Sequence, residues 1–118
     1  MLGVYGLKNC DTCRKALKWL EAESIAYTFH DVKADGISAA DVKRFAAAVG
    51  WEALLNKAST TWRGLPDSDK QDLTEAKAVK LMAANPSLIK RPVFEKGRMI
   101  ISGFRDAQKA ALKDALGK

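Results

Sequence analysis

The stretch YGLKNCDTCRKAL, residues 5–17, decides the fold and contains both cysteines of the chain. Cys10 and Cys13 form a C-x-x-C pair, which can be a redox couple, half of a zinc site or part of a packed core. The apolar segment 2–5 before the pair ends at Gly6, which predicts a short buried strand. The pair is therefore expected in the loop that leaves this strand.

The residues after this loop predict a helix and then a second strand. Four side chains follow the i, i+3, i+4 and i+7 spacing of one apolar helix face, namely Cys13, Ala16, Leu17 and Leu20. The segment YTFH at 27–30 is rich in β-formers and predicts a strand. A strand, a helix and a strand within about thirty residues predict a right-handed parallel βαβ unit.

The middle of the chain, residues 32–86, predicts helices and no clear strand. Ser38 begins an S-x-x-D sequence that resembles a capping box, ahead of an apolar helix face that Gly50 ends. Thr74 is placed to cap a later helix, and Pro86 ends that helix.

Strand signals return near the end of the chain. Residues 93–95 and 99–102 flank a Lys-Gly-Arg turn at 96–98 and predict a hairpin. Pro92 lacks an N–H, so it belongs at the start or the edge of a strand. Residues 106–116 predict a final helix.

The predicted layout is β-α-β, a helical insert and then β-β-α, which is the order of a thioredoxin-like α/β fold with a mixed four-stranded sheet. We expect one domain over residues 1–118, with a core of 1–31 and 87–118 and an inserted helical subdomain of 32–86. The length of 118 residues, with 47% hydrophobic and 29% charged, suits one globular domain.

The sequence also sets expectations about location and partners. No apolar run approaches the roughly 20 residues of a membrane helix, and no secretory leader is visible, so we expect a soluble, cytoplasmic protein with no membrane partner. We also expect a monomer. The net charge of +6 favours an anionic partner, such as nucleic acid, an oxyanion or glutathione, although a solvated basic surface has the same charge. The basic residues are scattered, which does not suit a nucleic-acid groove.

The placement of the two cysteines predicts thiol chemistry. A thiolate is the nucleophile, and Cys10 should lie at a helix N-terminus, where N–H groups and the helix dipole stabilise an anion. Lys8 and Arg14 add positive charge, so we expect the pKa of Cys10 to lie below its ordinary value. Cys13 lies on the inward helix face, which would pair an exposed attacking thiol with a shielded resolving thiol.

Each of these residues also has a purely structural interpretation. A zinc site needs two more ligands, and besides carboxylates the sequence offers only His30, which also suits a structural position. Cys13 can be core packing, and Cys10 can be an inert loop cysteine. Arg91 can be a surface charge, or its planar guanidinium can hold an oxyanion through two hydrogen bonds.

Beyond these patterns, the sequence resembles the arsenate reductase-related family. The resemblance rests on YGLKNCDTCRKALKWLE at 5–21 and on the shorter segments FHD, GWEALLNK, TTWR, IKRPVFE and SGF, and it covers nearly the whole chain. The family includes glutathione-coupled arsenate reductases, Spx transcriptional regulators and YffB-like thiol reductases, and the chain is most similar to the last branch. The resemblance implies a thioredoxin-like core with a helical insert, a catalytic cysteine at Cys10, and an arginine before a cis-proline at Arg91-Pro92.

The resemblance also implies a reaction and a set of site residues. We expect a thiol–disulfide oxidoreductase without a bound cofactor or metal, with glutathione as co-substrate. Glutathione, glutaredoxin and a small-molecule or protein thiol are the expected partners, and Cys13 or a second glutathione resolves the intermediate. The expected catalytic residues are Cys10, Cys13 and Arg91. The expected substrate- or glutathione-binding residues are Lys8, Asn9, Thr12, Arg14, Arg91, Pro92 and Gly103.

Two alternatives stay open within the family. The arsenate reductases have a histidine and an asparagine before the catalytic cysteine, where this chain has Gly6 and Leu7. They also hold the oxyanion with three arginines; Arg91 matches one, and the other two positions fall near Asn56 and Ser102. The pattern therefore favours thiol reduction over arsenate reduction. The other alternative is an Spx-like regulator that binds RNA polymerase and uses its cysteine pair as a redox switch.

Overall fold

The structure is a computed structural model that describes residues 1–117. The elements in chain order are β1 Leu2–Gly6, α1 Asp11–Ala22, β2 Tyr27–Asp31, α2 Ala39–Val49, α3 Trp51–Leu54, α4 Thr60–Arg63, α5 Asp67–Lys70, α6 Glu75–Ala84, a 3-10 helix Pro86–Leu88, β3 Val93–Lys96, β4 Met99–Ser102 and α7 Asp106–Leu116. They form two compact units: the first combines Met1–Asp35 with the segment that begins at Arg91, and the second is Gly36–Lys90.

The first unit contains one mixed sheet with the strand order β2-β1-β3-β4. Strand β1 pairs in parallel with β2, from Leu2 opposite Tyr27 to Gly6 opposite Asp31. Strand β3 pairs antiparallel with both β1 and β4. The expected thioredoxin-like order and the mixed four-stranded sheet are therefore confirmed.

The core of the first unit explains why these segments form a sheet and helices. Residues of β1 are alternately buried and half-buried, as in a strand with one face on the core. Helix α1 buries the face predicted from the sequence, with Leu17 half-buried beside it. The buried residues that form this core are Leu2, Val4, Ala16, Leu20, Ile25, Phe94 and Leu112.

The hairpin turn is tighter than the sequence suggests. Lys96 pairs with Met99, so only Gly97 and Arg98 form the turn. Gly97 has a φ of +60°, a conformation that glycine adopts at no steric cost and that suits two-residue hairpins. The predicted final helix is observed over the same residues, Asp106–Leu116.

The second unit is helical. The hydroxyl of Ser38 accepts a hydrogen bond from the N–H of Asp41 at 3.0 Å, and that of Thr74 accepts one from the N–H of Lys77 at 3.2 Å. Both predicted helix caps are therefore present. The one-turn helices α4 and α5 lie in a mostly polar segment. None of the helices in residues 1–117 is long and apolar enough to cross a membrane.

The two units divide slightly later along the chain than the division expected at 31/32 and 86/87. At the first boundary, the backbone N–H of Asp35 donates to the carbonyl of Asp31, which ties the turn after β2 to the first unit. At the second boundary, the N–H of Lys90 donates to the carbonyl of Leu54 at 2.8 Å, which ties the segment before Arg91 to the second unit.

Candidate active site

Cys10 is the N-cap residue of α1, at the end of the loop that follows β1. Its backbone is extended, its N–H donates to the carbonyl of Leu7 at 3.2 Å, and its carbonyl accepts the first helical hydrogen bond, from Arg14, at 3.0 Å. The side chain is half-buried. The thiol therefore lies where unpaired helix N–H groups favour a negative charge, as the sequence predicts.

Opposing influences act on the thiol of Cys10. Partial burial raises its pKa, because desolvation disfavours the thiolate. Hydrogen bonds from the backbone N–H and the thiol of Cys13, together with the hydrogen bond and positive charge of Arg91, lower the pKa and outweigh burial. The net pKa of Cys10 lies below its ordinary value, which makes it the better nucleophile of the pair.

Cys13 has the opposite character. Its side chain is only 1% exposed, and burial raises the pKa of Cys13 to about 12, with a further contribution from the neighbouring Cys10. Cys13 therefore stays protonated at neutral pH and donates a hydrogen bond to Cys10. Both cysteines are free thiols in the structure.

Gly6 provides the space that the Cys13 thiol occupies. A Cβ atom at Gly6 would lie 2.6 Å from Sγ of Cys13, far inside a normal contact. A side chain at this position would therefore displace the buried thiol. The sequence marks Gly6 as the end of a strand but does not predict its contact with Cys13, because that contact depends on how α1 packs on β1.

Arg91 reaches Cys10 from the segment before β3. The Arg91–Pro92 peptide bond is cis, as the resemblance implies, and Pro92 is buried. The N–H of Gly103 donates to the carbonyl of Pro92 at 2.9 Å, so the end of β4 braces this turn. Arg91 is half-buried and contributes both a hydrogen bond and a positive charge to the thiol of Cys10.

The remaining predicted binding residues lie in or beside the Cys10 loop. Lys8, Asn9, Thr12 and Arg14 are all exposed. The Nε of Arg14 donates to the carbonyl of Lys8 at 3.2 Å, so this side chain braces the loop. Contact of these four residues with a substrate stays a prediction.

Sequence reasoning missed Asp31, the last residue of β2. Its side chain is only 8% exposed, and its carboxylate accepts backbone N–H groups from Lys8 at 3.2 Å, Lys33 at 2.9 Å and Ala34 at 2.8 Å. The Ala34 N–H lowers the pKa of Asp31 most; burial opposes this, and the two other N–H groups and the Lys8 charge add to it. The signal available in the sequence is that parallel β1 and β2 end side by side, which places an aspartate next to the cysteine loop.

His30 lies on β2 beside this region and stacks on Tyr5, with ring centroids 4.7 Å apart and an interplanar angle of 16°. The two residues are cross-strand partners in the parallel pair of β1 and β2, so the packing of the two strands explains the contact between their rings. Within residues 1–117, no group of three or more histidine, cysteine, aspartate or glutamate side chains could hold a metal ion.

The chain is similar to several known proteins over most of its length. The model of the ArsC family matches residues 5–112. A solved structure described as the YFFB (PA3664) protein is 50% identical, covers 95% of this chain and 99% of its own, and superposes with a TM-score of 0.89. An uncharacterized protein of Haemophilus influenzae is 41% identical over 92% of this chain and 95% of its own length. The global transcriptional regulator Spx of Streptococcus mutans is 24% identical over 90% of this chain and 78% of its own length.

Proposed function

The chain belongs to the ArsC, or arsenate reductase-related, family, and from this premise we propose that it is a glutathione-dependent thiol–disulfide oxidoreductase. The observation that carries the proposal is the asymmetry of the cysteine pair. Cys10 is half-buried, with a lowered pKa beside Arg91, whereas Cys13 is fully buried and protonated. This asymmetry suits one attacking and one resolving thiol.

In the first step, the Cys10 thiolate attacks one sulfur of a disulfide substrate. A mixed disulfide forms between Sγ of Cys10 and that sulfur, the substrate S–S bond breaks, and the departing thiolate takes a proton from water. Arg91 lies beside the attacking sulfur, where its guanidinium is suited to bind a carboxylate of a glutathionyl group.

In the second step, the mixed disulfide is resolved. The negative charge of Cys10 is one of the causes that raise the pKa of Cys13, and mixed-disulfide formation removes this charge. Cys13 then loses its proton more readily and attacks Sγ of Cys10, which forms the internal disulfide and releases the second thiolate. Two glutathione molecules reduce this disulfide and become glutathione disulfide. In a monothiol route, a second glutathione thiolate attacks the mixed disulfide directly.

The test is glutathione-dependent reduction of a mixed disulfide of glutathione and 2-mercaptoethanol. We expect Cys10→Ser to abolish turnover and Cys13→Ser to retain the monothiol route. An arsenate reductase assay of the same samples should show no turnover, because Gly6 and Leu7 replace the family's histidine and asparagine. Full disulfide reduction by Cys10→Ser would contradict the proposed function.

A redox-switched regulator is the second candidate, and the likeness to the Spx regulator of Streptococcus mutans favours it. In this function the Cys10–Cys13 pair would change the affinity for RNA polymerase without turnover. Binding of purified RNA polymerase to the oxidised and the reduced chain discriminates the two functions. Redox-dependent binding by a chain that shows no turnover supports the regulator, and the absence of binding in both states excludes it.

A further inference from the structure

We propose that Asp31 is a positioning residue for Cys10, because its carboxylate fixes the Lys8 peptide and thereby the loop that presents the thiol. This inference rests on the proposed role of Cys10 as nucleophile. It assigns part of the control of the Cys10 thiolate to Asp31 on β2, whereas the cysteine loop follows β1.

Hydrogen bonds hold the Lys8 peptide groups from two sides. The N–H of Lys8 donates to Oδ2 of Asp31 at 3.2 Å, and the carbonyl of Lys8 accepts from Nε of Arg14 at 3.2 Å. The residue is therefore fixed from β2 on one side and from α1 on the other. Because Lys8 is two residues before Cys10, this arrangement sets how the chain enters the helix N-terminus.

The Asp31 carboxylate is itself fixed by hydrogen bonds. Its other oxygen, Oδ1, accepts the N–H groups of Lys33 and Ala34 at 2.9 and 2.8 Å. The backbone N–H of Asp31 donates to Oδ2 of Asp35 at 3.3 Å. Asp31 thus lies in a closed turn and has one oxygen left to direct at the cysteine loop.

The position of the loop affects the hydrogen bonds to the Cys10 thiol. The pKa of Cys10 is lowered by bonds from Cys13 and Arg91, and hydrogen bonds weaken steeply as distance and angle depart from the optimum. A loop that moves would lengthen these bonds. Fixing Lys8 therefore maintains the contacts that stabilise the thiolate.

The substitution Asp31→Asn tests the positioning of the cysteine loop separately from the hydrogen bonds within the turn after β2. The amide oxygen of asparagine can still accept from Lys33 and Ala34, but its NH₂ group would face the N–H of Lys8, donor against donor. The Lys8 charge acts on Asp31, and the Asp35 carboxylate accepts the backbone N–H of Asp31. The variant therefore removes the link to the loop and one negative charge.

The two consequences of Asp31→Asn shift the pKa of Cys10 in opposite directions. Loss of a nearby negative charge lowers a thiol pKa, whereas loss of loop positioning weakens the bonds to the thiolate and raises it. We expect positioning to dominate, with a rise of about 0.5 to 1 unit. Such a rise slows alkylation about three- to tenfold at pH values well below the Cys10 midpoint. A merely structural role would leave this titration unchanged.

The experiment measures the rate of Cys10 alkylation by iodoacetamide against pH, with mass spectrometry to identify the labelled cysteine. Asp35→Asn is the matched control, because it removes a negative charge nearby without a bond to Lys8, and we expect a Cys10 titration that is unchanged or moved to lower pH, not to higher pH. If Asp31→Asn does not fold, Arg14→Lys tests the other side of the loop, because lysine keeps the charge but lacks the Nε donor; we expect a smaller rise.

A Cys10 pKa that is unchanged or lowered in Asp31→Asn overturns the inference. If that variant cannot be measured, an unchanged Cys10 titration in Arg14→Lys also overturns it. The proposed function is assessed separately, by turnover of the wild-type chain with glutathione. A wild-type chain that turns over, together with an unshifted Asp31→Asn titration, defeats only the positioning role. A wild-type chain without turnover defeats the proposed function, whatever the titration shows.

Discussion

The contact between Gly6 and Cys13 allows the packing of the cysteine pair to be tested directly. Substitution Gly6→Ala would place a Cβ atom 2.6 Å from Sγ of Cys13. This is about 1 Å shorter than an ordinary contact of roughly 3.6 Å. Cys13 is on the buried face of α1 and 1% exposed, so its side chain has little room to move aside.

The expected magnitude follows from this overlap. Adding a carbon to a close-packed site costs about 1–3 kcal/mol in the free energy of unfolding. For a chain of this size, that lowers the melting temperature by about 5–15 °C. Chemical denaturation of reduced protein, monitored by far-UV circular dichroism, measures the loss.

A double-mutant cycle isolates the cause. In Cys13→Ala the sulfur is absent, and the nearest remaining atoms to the added Cβ are the Cβ of residue 13 at 3.4 Å and a ring carbon of Phe29 at 3.5 Å. We therefore expect Gly6→Ala to be nearly neutral in that background, with a coupling of about 1–3 kcal/mol between the two sites. Equal destabilisation in both backgrounds would refute the claim that the thiol occupies the space left by Gly6.

Three further predictions concern charge and hydrogen bonding. Arg91→Met should raise the alkylation pKa of Cys10, because it removes a hydrogen bond and a positive charge, whereas Arg98→Met in the exposed hairpin turn should not. Because the pKa of Asp31 is lowered by folding, its stabilisation is fully present above about pH 4 and is lost as pH falls through the folded-state value. The free energy of unfolding of Asp31→Asn should therefore fall less steeply with decreasing pH in the acid range than that of the wild type. An equal acid dependence would contradict the lowered pKa of Asp31. Lys77→Met should destabilise the chain by about 1–2 kcal/mol, because its Nζ donates to two carbonyls around the end of α5, and an unchanged urea midpoint would contradict this.

The sequence predicted most of the fold because its strongest signals are local. Spacing of apolar residues, the caps at Ser38 and Thr74, and the Gly97 turn each depend on a few neighbouring positions. The N-cap position of Cys10 and the inward direction of Cys13 follow from the same periodicity.

The parts of the site that could not be predicted depend on contacts between distant segments. Asp31 reaches the Lys8 N–H only because β1 and β2 pair in parallel register, with Gly6 opposite Asp31. The contact between Gly6 and Cys13 requires the packing of α1 on β1. Arg14 carries a charge that suggests substrate binding, yet its Nε binds the loop, and a choice between these uses requires coordinates.

The most direct test of the central claim is the pH dependence of alkylation of the two cysteines in the wild-type chain. We expect Cys10 alone to be labelled near neutral pH, with a midpoint below that of an unperturbed cysteine thiol. A Cys10 midpoint at or above that value, or labelling of Cys13 at neutral pH, would contradict it.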